Sequence, residues 1–164
     1  MLIAGFQKTS FVDYPGKIAA VVFTPYCTMR CTYCHNRHIL GKEAQLLDEQ
    51  AVLEYLEKRR DMLDAVVISG GEPTLQKNLP QFISLVKSMG FMIKLDTNGS
   101  NPKLLSQLIA EGMLDYIAMD IKAPFEKYSI IIFKALRMSR SVNDSGIFSV
   151  LVRWCTLHLA KFCE

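Results

Sequence analysis

The sequence predicts an α/β fold in which one domain forms a (β/α) barrel or part of one, and two observations carry this prediction. Short apolar runs rich in β-branched residues alternate with amphipathic helical patterns, in an order that repeats three times before a fourth strand. Such alternation is typical of parallel strands with helices packed outside them. Polar and glycine residues also follow each predicted strand, at the edge where parallel α/β folds build their sites.

Length and composition agree with this fold class. The 164 residues suit a single domain spanning 1–164, and 50% hydrophobic with 21% charged residues is ordinary for a globular protein. No apolar run approaches the roughly 20 residues of a membrane span. The first ten residues lack a signal-peptide layout, which predicts a cytoplasmic location. The net charge of +3 forms no basic stripe, so neither nucleic acid nor a membrane is an expected partner.

The first strand is predicted at residues 18–23, after a tight turn at 14–17 in which Pro15 and Gly16 suit a type II turn. Asp48 is an N-cap for the first helix. The apolar residues behind it recur at helical spacing, at Val52, Tyr55, Leu56 and Met62.

The second unit places a strand at residues 65–68 and a helix with Pro80 in its first turn and Gly90 as its stop. The third has a strand at 92–95 and a helix from the N-cap Asn101 to Gly112. A fourth strand is predicted at 116–119. Beyond residue 125 the helix caps and the hydrophobic periodicity weaken, so the sequence pattern determines the fold of residues 126–164 poorly.

Three of the five cysteines fall within eight residues, at Cys27, Cys31 and Cys34. In a chain without an export signal, clustered thiols indicate metal binding rather than disulfides. A C-x3-C-x2-C loop suits an iron–sulfur cluster with one iron left open. Spacing alone leaves two alternatives, a zinc site completed by His35 or His38 and buried cysteines without metal.

This cysteine loop, with Tyr33 directly before its third cysteine, resembles the signature of the radical S-adenosylmethionine superfamily. The run GGEP at residues 70–73 resembles that superfamily's next motif. A finer resemblance is to glycyl-radical activating enzymes, above all the activators of anaerobic ribonucleoside-triphosphate reductase. It covers about residues 5–125 and is carried by the segments FVDYPG at 11–16, CHN at 34–36, LDTNG at 95–99 and MDIK at 119–122.

The resemblance implies a partial (β/α) barrel of the radical S-adenosylmethionine type that binds a [4Fe-4S] cluster through Cys27, Cys31 and Cys34. S-adenosylmethionine would chelate the open iron, and a monovalent cation would lie beside its carboxylate near Asp96, Thr97 and Asp120. In the GGEP run, Gly70 and Gly71 allow the backbone to come close to a ligand, and the Glu72 carboxylate can accept a hydrogen bond from an ammonium group. The cofactor-contacting residues that the resemblance implies are Tyr33, Gly70, Gly71, Glu72, Asp96, Thr97, Asn98, Asp120 and Lys122.

The implied activity is that of an oxidoreductase. Flavodoxin or ferredoxin would reduce the cluster, and S-adenosylmethionine would be cleaved to methionine and a 5′-deoxyadenosyl radical. That radical would take a hydrogen atom from a glycine of the protein substrate, an anaerobic ribonucleotide reductase. The protein itself would bind and orient the cofactor and the substrate, and it would exclude water from the reaction.

The sequence also departs from the pattern that it resembles. Tyr26 stands where glycine is usual before the first cysteine, and Thr32 replaces a common proline. A full barrel of this type has six units, so we expect the C-terminal units to be missing or altered. Three rival interpretations follow: a radical enzyme acting on a small molecule, a metal-binding module without catalysis, and a truncated protein of weak activity.

Overall fold

The structure, a computed structural model, describes residues 1–31, 33–41 and 43–120. Predictions that concern Thr32, Lys122 and residues 126–164, including the later barrel units, lie outside the described residues. Within the described ranges no helix is long and apolar enough to cross a bilayer.

Strands and helices alternate along the described chain as predicted. After an N-terminal strand β1, three helices connect four further strands, and two short 3-10 helices lie in the loops. The bounds are β1 Gly5–Ser10, β2 Ala19–Thr24, a 3-10 helix Arg37–Ile39, α1 Glu49–Lys58, β3 Ala65–Gly70, a 3-10 helix Pro73–Leu75, α2 Leu79–Ser88, β4 Met92–Thr97, α3 Pro102–Ala110 and β5 Tyr116–Met119.

The five described strands form one sheet in the order β1-β2-β3-β4-β5. The pairs from β2 to β5 are all parallel, and β1 lies antiparallel along the outer edge of β2. Each parallel pair is linked by one α-helix, which forms the crossover that parallel strands require. The carboxyl ends of β2, β3, β4 and β5 therefore meet at one edge of the sheet.

The two faces of the sheet differ in what covers them. All three helices pack on one face, where α1, α2 and α3 contribute buried residues such as Leu56, Ile83 and Leu108 to the main core. The opposite face carries a smaller cluster that contains no helix residue, formed by Tyr14, Ala19, Val21, Ala65 and Val67. Helices on one face of a sheet in sequential strand order are the arrangement of a (β/α) barrel, and the predicted fold class is confirmed.

Local signals place most helix ends where the sequence predicts them. The Asp48 carboxylate accepts from the backbone N–H of Gln50 at 3.1 Å, and the Asn101 side chain caps α3 by accepting from Leu104. Gly90 and Gly112 follow α2 and α3 with φ values of 96° and 64°, the left-handed conformation that ends a helix.

Three details differ from the sequence prediction. Strand β1 is absent from it, because this edge strand is mostly polar and gives no apolar run. Met62 lies beyond the end of α1 and is 62% exposed, so it belongs to no buried stripe. Strands β3 and β4 run two residues further than predicted, which makes Gly70, Asp96 and Thr97 strand residues rather than loop residues.

Candidate functional site

A cavity of about 210 Å³ opens at the carboxyl edge of the sheet, where four groups of polar residues were expected to meet. The structure brings most of the predicted site residues to its wall, and Glu72 is the exception among those it describes. The predicted residues that line the cavity are Cys27, Cys31, Tyr33, Cys34, Gly70, Gly71, Asp96, Thr97, Asn98 and Asp120.

The three cysteines share one loop between β2 and the 3-10 helix Arg37–Ile39, and each is half-buried. The Cys27 sulfur accepts from the backbone N–H of Met29 at 3.4 Å and from the Asn98 side-chain amide at 3.6 Å. Burial raises the pKa of the Cys27 thiol, an effect that the Met29 N–H opposes and the nearby Glu72 charge reinforces. Burial therefore disfavours the thiolate of Cys27, and metal binding has to release the proton of its thiol.

These thiols fit an iron–sulfur cluster by their chemistry and placement. A cubane offers each cysteine a separate iron, so its ligands need not converge on one point. Among the described residues no three His, Cys, Asp or Glu side chains do converge as ligands of a single ion. Of the two histidines considered for zinc, His35 lines the cavity, whereas His38 lines a separate depression beside Phe6 and Phe23.

Tyr26, directly before Cys27, has a φ of 67° and is the one non-glycine residue of the described chain in the left-handed region. Its carbonyl accepts from the Glu72 backbone N–H at 2.7 Å, and its own N–H donates to Ile39 at 3.4 Å. The loop thus requires at this position the conformation that glycine adopts freely. This explains physically why glycine is usual in the proteins that the sequence resembles.

Replacing Tyr26 with glycine is therefore expected to stabilise the chain. Left-handed strain costs about 1–2 kcal/mol in a non-glycine residue, and glycine loses roughly 0.5–1 kcal/mol through its freedom in the unfolded state, so the net gain is up to about 1.5 kcal/mol. Denaturant unfolding of the metal-free protein measures it. Tyr26→Ala is the matched control, since it removes the ring but keeps the strain. A glycine variant no more stable than the alanine variant would contradict the strain argument.

Gly70 and Gly71 allow β3 to approach the cysteine loop, rather than only opening space for a ligand. A Cβ on Gly70 would lie 2.3 Å from the backbone nitrogen of Thr24, and one on Gly71 would lie 1.8 Å from the carbonyl oxygen of Tyr26. Both distances are far below van der Waals contact. The two glycines therefore join the GGEP segment to the segment that presents Cys27.

Glu72 differs from the expectation that its carboxylate faces the cavity. The side chain is fully buried, and one oxygen accepts from the Thr74 backbone and hydroxyl at 3.1 and 2.5 Å and from the Thr97 hydroxyl at 2.7 Å. The other oxygen accepts from the Asn98 backbone N–H at 2.8 Å. The carboxylate thus ties the loop after β3 to the end of β4.

The end of β4 presents its residues in opposite directions. Asp96 faces the cavity, while the hydroxyl of Thr97 turns towards Glu72, so Thr97 contributes chiefly backbone to the wall. The Asn98 amide donates to Thr28 at 3.1 Å as well as to Cys27. Asp120 is joined to this edge by its backbone N–H, which donates to the Thr97 carbonyl at 3.0 Å.

Two features of the site escape the sequence analysis. Lys94 lies behind Asp96 on the same face of β4, and its ammonium group contacts that carboxylate. The alternation of Lys94 and Asp96 with the buried Ile93 and Leu95 is a signal that could have placed them together. The contact between Asn98 and Cys27 joins residues 71 positions apart, and no local pattern indicates it.

Comparison with known proteins adds a family match. Residues 21–145 match the Radical SAM superfamily. The chain is 39% identical over 130 residues to a provisionally named glycyl-radical enzyme activating enzyme of Methanocaldococcus jannaschii, covering 77% of this chain and 52% of the relative.

Two further relatives differ in what they are named for. A pyruvate formate-lyase-activating enzyme of Streptococcus mutans is 32% identical over 135 residues, covering 74% of this chain and 50% of the relative. An S-adenosylmethionine-dependent nucleotide dehydratase of Lacinutrix mariniflava is 29% identical over 160 residues, covering 92% of this chain and 33% of the relative. The chain thus spans about half or less of the length of these relatives.

Proposed function

Because the chain belongs to the radical S-adenosylmethionine superfamily, we propose that it is a glycyl-radical activating enzyme. It binds a [4Fe-4S] cluster through Cys27, Cys31 and Cys34 and cleaves S-adenosylmethionine reductively. Its protein substrate is an anaerobic ribonucleoside-triphosphate reductase, on which it generates a glycyl radical. Flavodoxin or ferredoxin supplies the electron.

The observation that carries this proposal is the single cavity shared by the three thiols and the ends of β3, β4 and β5. One wall offers soft thiolate ligands for iron. The other offers backbone at Gly70 and Gly71 and the carboxylates of Asp96 and Asp120. Such a wall can receive the ammonium and sulfonium charges of S-adenosylmethionine. The two relatives named as activating enzymes support the same class of reaction.

The positions of several described residues support a role for them in this reaction. A [4Fe-4S] cluster held by Cys27, Cys31 and Cys34 would supply the electron for cleaving the S–C5′ bond of S-adenosylmethionine, which gives methionine and a 5′-deoxyadenosyl radical. Tyr33 lines the cavity with 57% of its surface exposed, and its aromatic ring is of the kind that stacks on adenine. Gly70 and Gly71 present backbone to the ligand's amino group, and Asn98 fixes the Cys27 sulfur. Lys122, outside the described residues, is proposed as a further cofactor contact from the resemblance.

A second candidate is a radical enzyme that acts on a small molecule. It is favoured by the nucleotide dehydratase relative, whose match covers 92% of this chain. The cofactor site would be the same in both cases, and only the group that gives up the hydrogen atom would differ.

Anaerobic reconstitution with iron and sulfide tests the proposal. We expect about four irons per chain from the cubane stoichiometry and an electron paramagnetic resonance spectrum of the reduced protein that changes when S-adenosylmethionine is added. Incubation with a purified anaerobic ribonucleotide reductase should then produce a glycyl radical signal. Cys27→Ala should assemble no cluster. Cys155→Ala is the matched control, because it removes a cysteine outside the predicted loop and should keep the cluster.

The outcomes separate the candidates. Zinc in place of iron after anaerobic purification would overturn the whole proposal. A spectral change and 5′-deoxyadenosine formation without any glycyl radical would reject the protein substrate and favour the small-molecule candidate.

A further inference from the structure

A closed ring of hydrogen bonds joins the cysteine loop to the segment that follows β4. The Asn98 side-chain amide donates to the Thr28 hydroxyl at 3.1 Å, and that hydroxyl donates to the Ser100 hydroxyl at 2.9 Å. The Ser100 backbone N–H closes the ring by donating to the Asn98 side-chain oxygen at 2.9 Å. Because Thr28 directly follows Cys27, the ring holds the start of the cysteine loop against residues some 70 positions later.

The ring also determines which way the Asn98 amide faces. If the amide were turned over, its NH₂ group would face the Ser100 N–H and its oxygen would face the Cys27 sulfur. In the observed orientation one N–H donates to Thr28 and the other to the Cys27 sulfur at 3.6 Å, a length that suits the large sulfur atom. A side-chain amide has two N–H donors, so both are used inside the protein.

The backbone of Asn98 is held as firmly as its side chain. Its N–H donates at 2.8 Å to the carboxylate of Glu72, which is fully buried. Neither Thr28 nor Ser100 is among the described residues that line the cavity, whereas Asn98 and Cys27 are. The two hydroxyl residues therefore lie behind the wall of the site, and they can influence it only through Asn98.

An N–H group that points at a cluster thiolate has a known chemical effect. It stabilises negative charge on the sulfur, and a reduced cluster carries one more negative charge than an oxidised one, so the bond raises the reduction potential. The Cys27 sulfur has two such donors, the Met29 backbone at 3.4 Å and the Asn98 side chain. The backbone donor belongs to the loop itself, whereas the side-chain donor depends on the ring.

We propose that Thr28 and Ser100 are positioning residues that hold the Asn98 amide on the Cys27 sulfur and thereby raise the reduction potential of the cluster. The inference rests on the proposed cluster and concerns how it accepts its electron. A flavodoxin or ferredoxin is oxidised as the cluster takes up one electron, and a higher cluster potential makes this transfer more favourable. The donors of the Asn98 side chain thus serve the cluster rather than S-adenosylmethionine.

The test is a redox titration of the full chain, reconstituted with its cluster and followed by electron paramagnetic resonance of the reduced form. Thr28→Val keeps the shape of the side chain but removes its hydroxyl. At a fixed potential we expect the ratio of reduced to oxidised cluster to fall about tenfold, a shift of about 59 mV for one electron. Thr28→Ser restores the hydroxyl and should titrate as wild type does. Ser100→Ala keeps the backbone bond to Asn98, so its potential should fall by less.

Three controls separate this role from a merely structural one. Ser88→Ala removes a hydroxyl that bonds the Leu85 carbonyl of its own helix at 2.6 Å, and it should keep the wild-type potential. Asn98→Ala removes the donor itself, so adding Thr28→Val to it should lower the potential no further. Isothermal titration calorimetry should show that the Thr28→Val and Ser100→Ala proteins bind S-adenosylmethionine as wild type does.

The potentials decide the outcome. The inference is wrong if Thr28→Val holds its full iron content at the wild-type potential, or if it lowers the potential as much beside Asn98→Ala as it does alone. If Thr28→Val assembles no cluster, Ser100→Ala replaces it, and a wild-type potential there overturns the inference. A wild-type chain that assembles no cluster refutes the proposed function itself, whereas an assembled cluster with unchanged potentials refutes only this inference.

Discussion

Gly71→Ala is expected to unfold the cysteine loop and prevent cluster assembly. The added Cβ would lie 1.8 Å from the carbonyl oxygen of Tyr26 and 2.6 Å from its carbonyl carbon. That carbonyl cannot move away freely, because it accepts from the Glu72 backbone N–H at 2.7 Å. We expect a loss of about 3 kcal/mol or more in the free energy of unfolding, at the upper end of what overpacking costs. Chemical denaturation and iron content after reconstitution measure the two effects.

Two other glycines provide matched controls for this substitution. A Cβ on Gly41 would meet only the backbone nitrogen of Glu43, at 3.9 Å, so Gly41→Ala should change neither stability nor iron content. Gly90 has open space but a φ of 96°. Gly90→Ala should therefore lose about 1 kcal/mol from backbone strain while keeping the cluster. A Gly71→Ala protein as stable as the Gly41→Ala protein would show that the loop does not pack against β3 in this way.

The elements that the sequence predicts are those whose signals are local. Asp48 and Asn101 cap their helices within three residues, and Gly90 ends its helix by its own conformation. Strand β1 has no such signal, because its position depends on pairing with β2 from Gly5 opposite Phe23 to Ser10 opposite Ala19. A polar edge strand of this kind is defined by its partner rather than by its composition.

The same distinction applies to the site. Its residues could be predicted because the carboxyl ends of parallel strands meet at one edge, which fixes where Cys27 and Asp96 lie. The directions in which the side chains point could not be predicted, because they depend on partners that are distant in sequence. Glu72 looks like a ligand carboxylate in the motif, yet Thr97 and Asn98, 25 and 26 residues later, bind it inside the protein.

Glu72→Gln distinguishes these two roles. An amide has only one accepting oxygen, so it cannot accept from Thr74, Thr97 and Asn98 together as the carboxylate does. Whichever way the amide is turned, at least one donor faces its NH₂ group, and a lost hydrogen bond to a buried charged group costs about 1.5–3 kcal/mol. We expect the free energy of unfolding to fall by about that amount. Glu111→Gln is the matched control on an exposed residue, whose carboxylate accepts from the Gln107 side chain at 2.9 Å, and it should change stability by less than about 0.5 kcal/mol.

Cofactor binding gives the second measurement on the Glu72→Gln protein. Loss of the bond at 2.8 Å to the Asn98 backbone frees the residue whose amide donates to the Cys27 sulfur. Hydrogen bonds to cluster thiolates raise the reduction potential, so we expect the potential of the reconstituted variant to fall as well as its stability. A direct ligand contact predicts the opposite combination, in which S-adenosylmethionine binding is lost while stability and potential are unchanged. Redox titration beside chemical denaturation therefore decides whether Glu72 shapes the site from within the protein or contacts the cofactor.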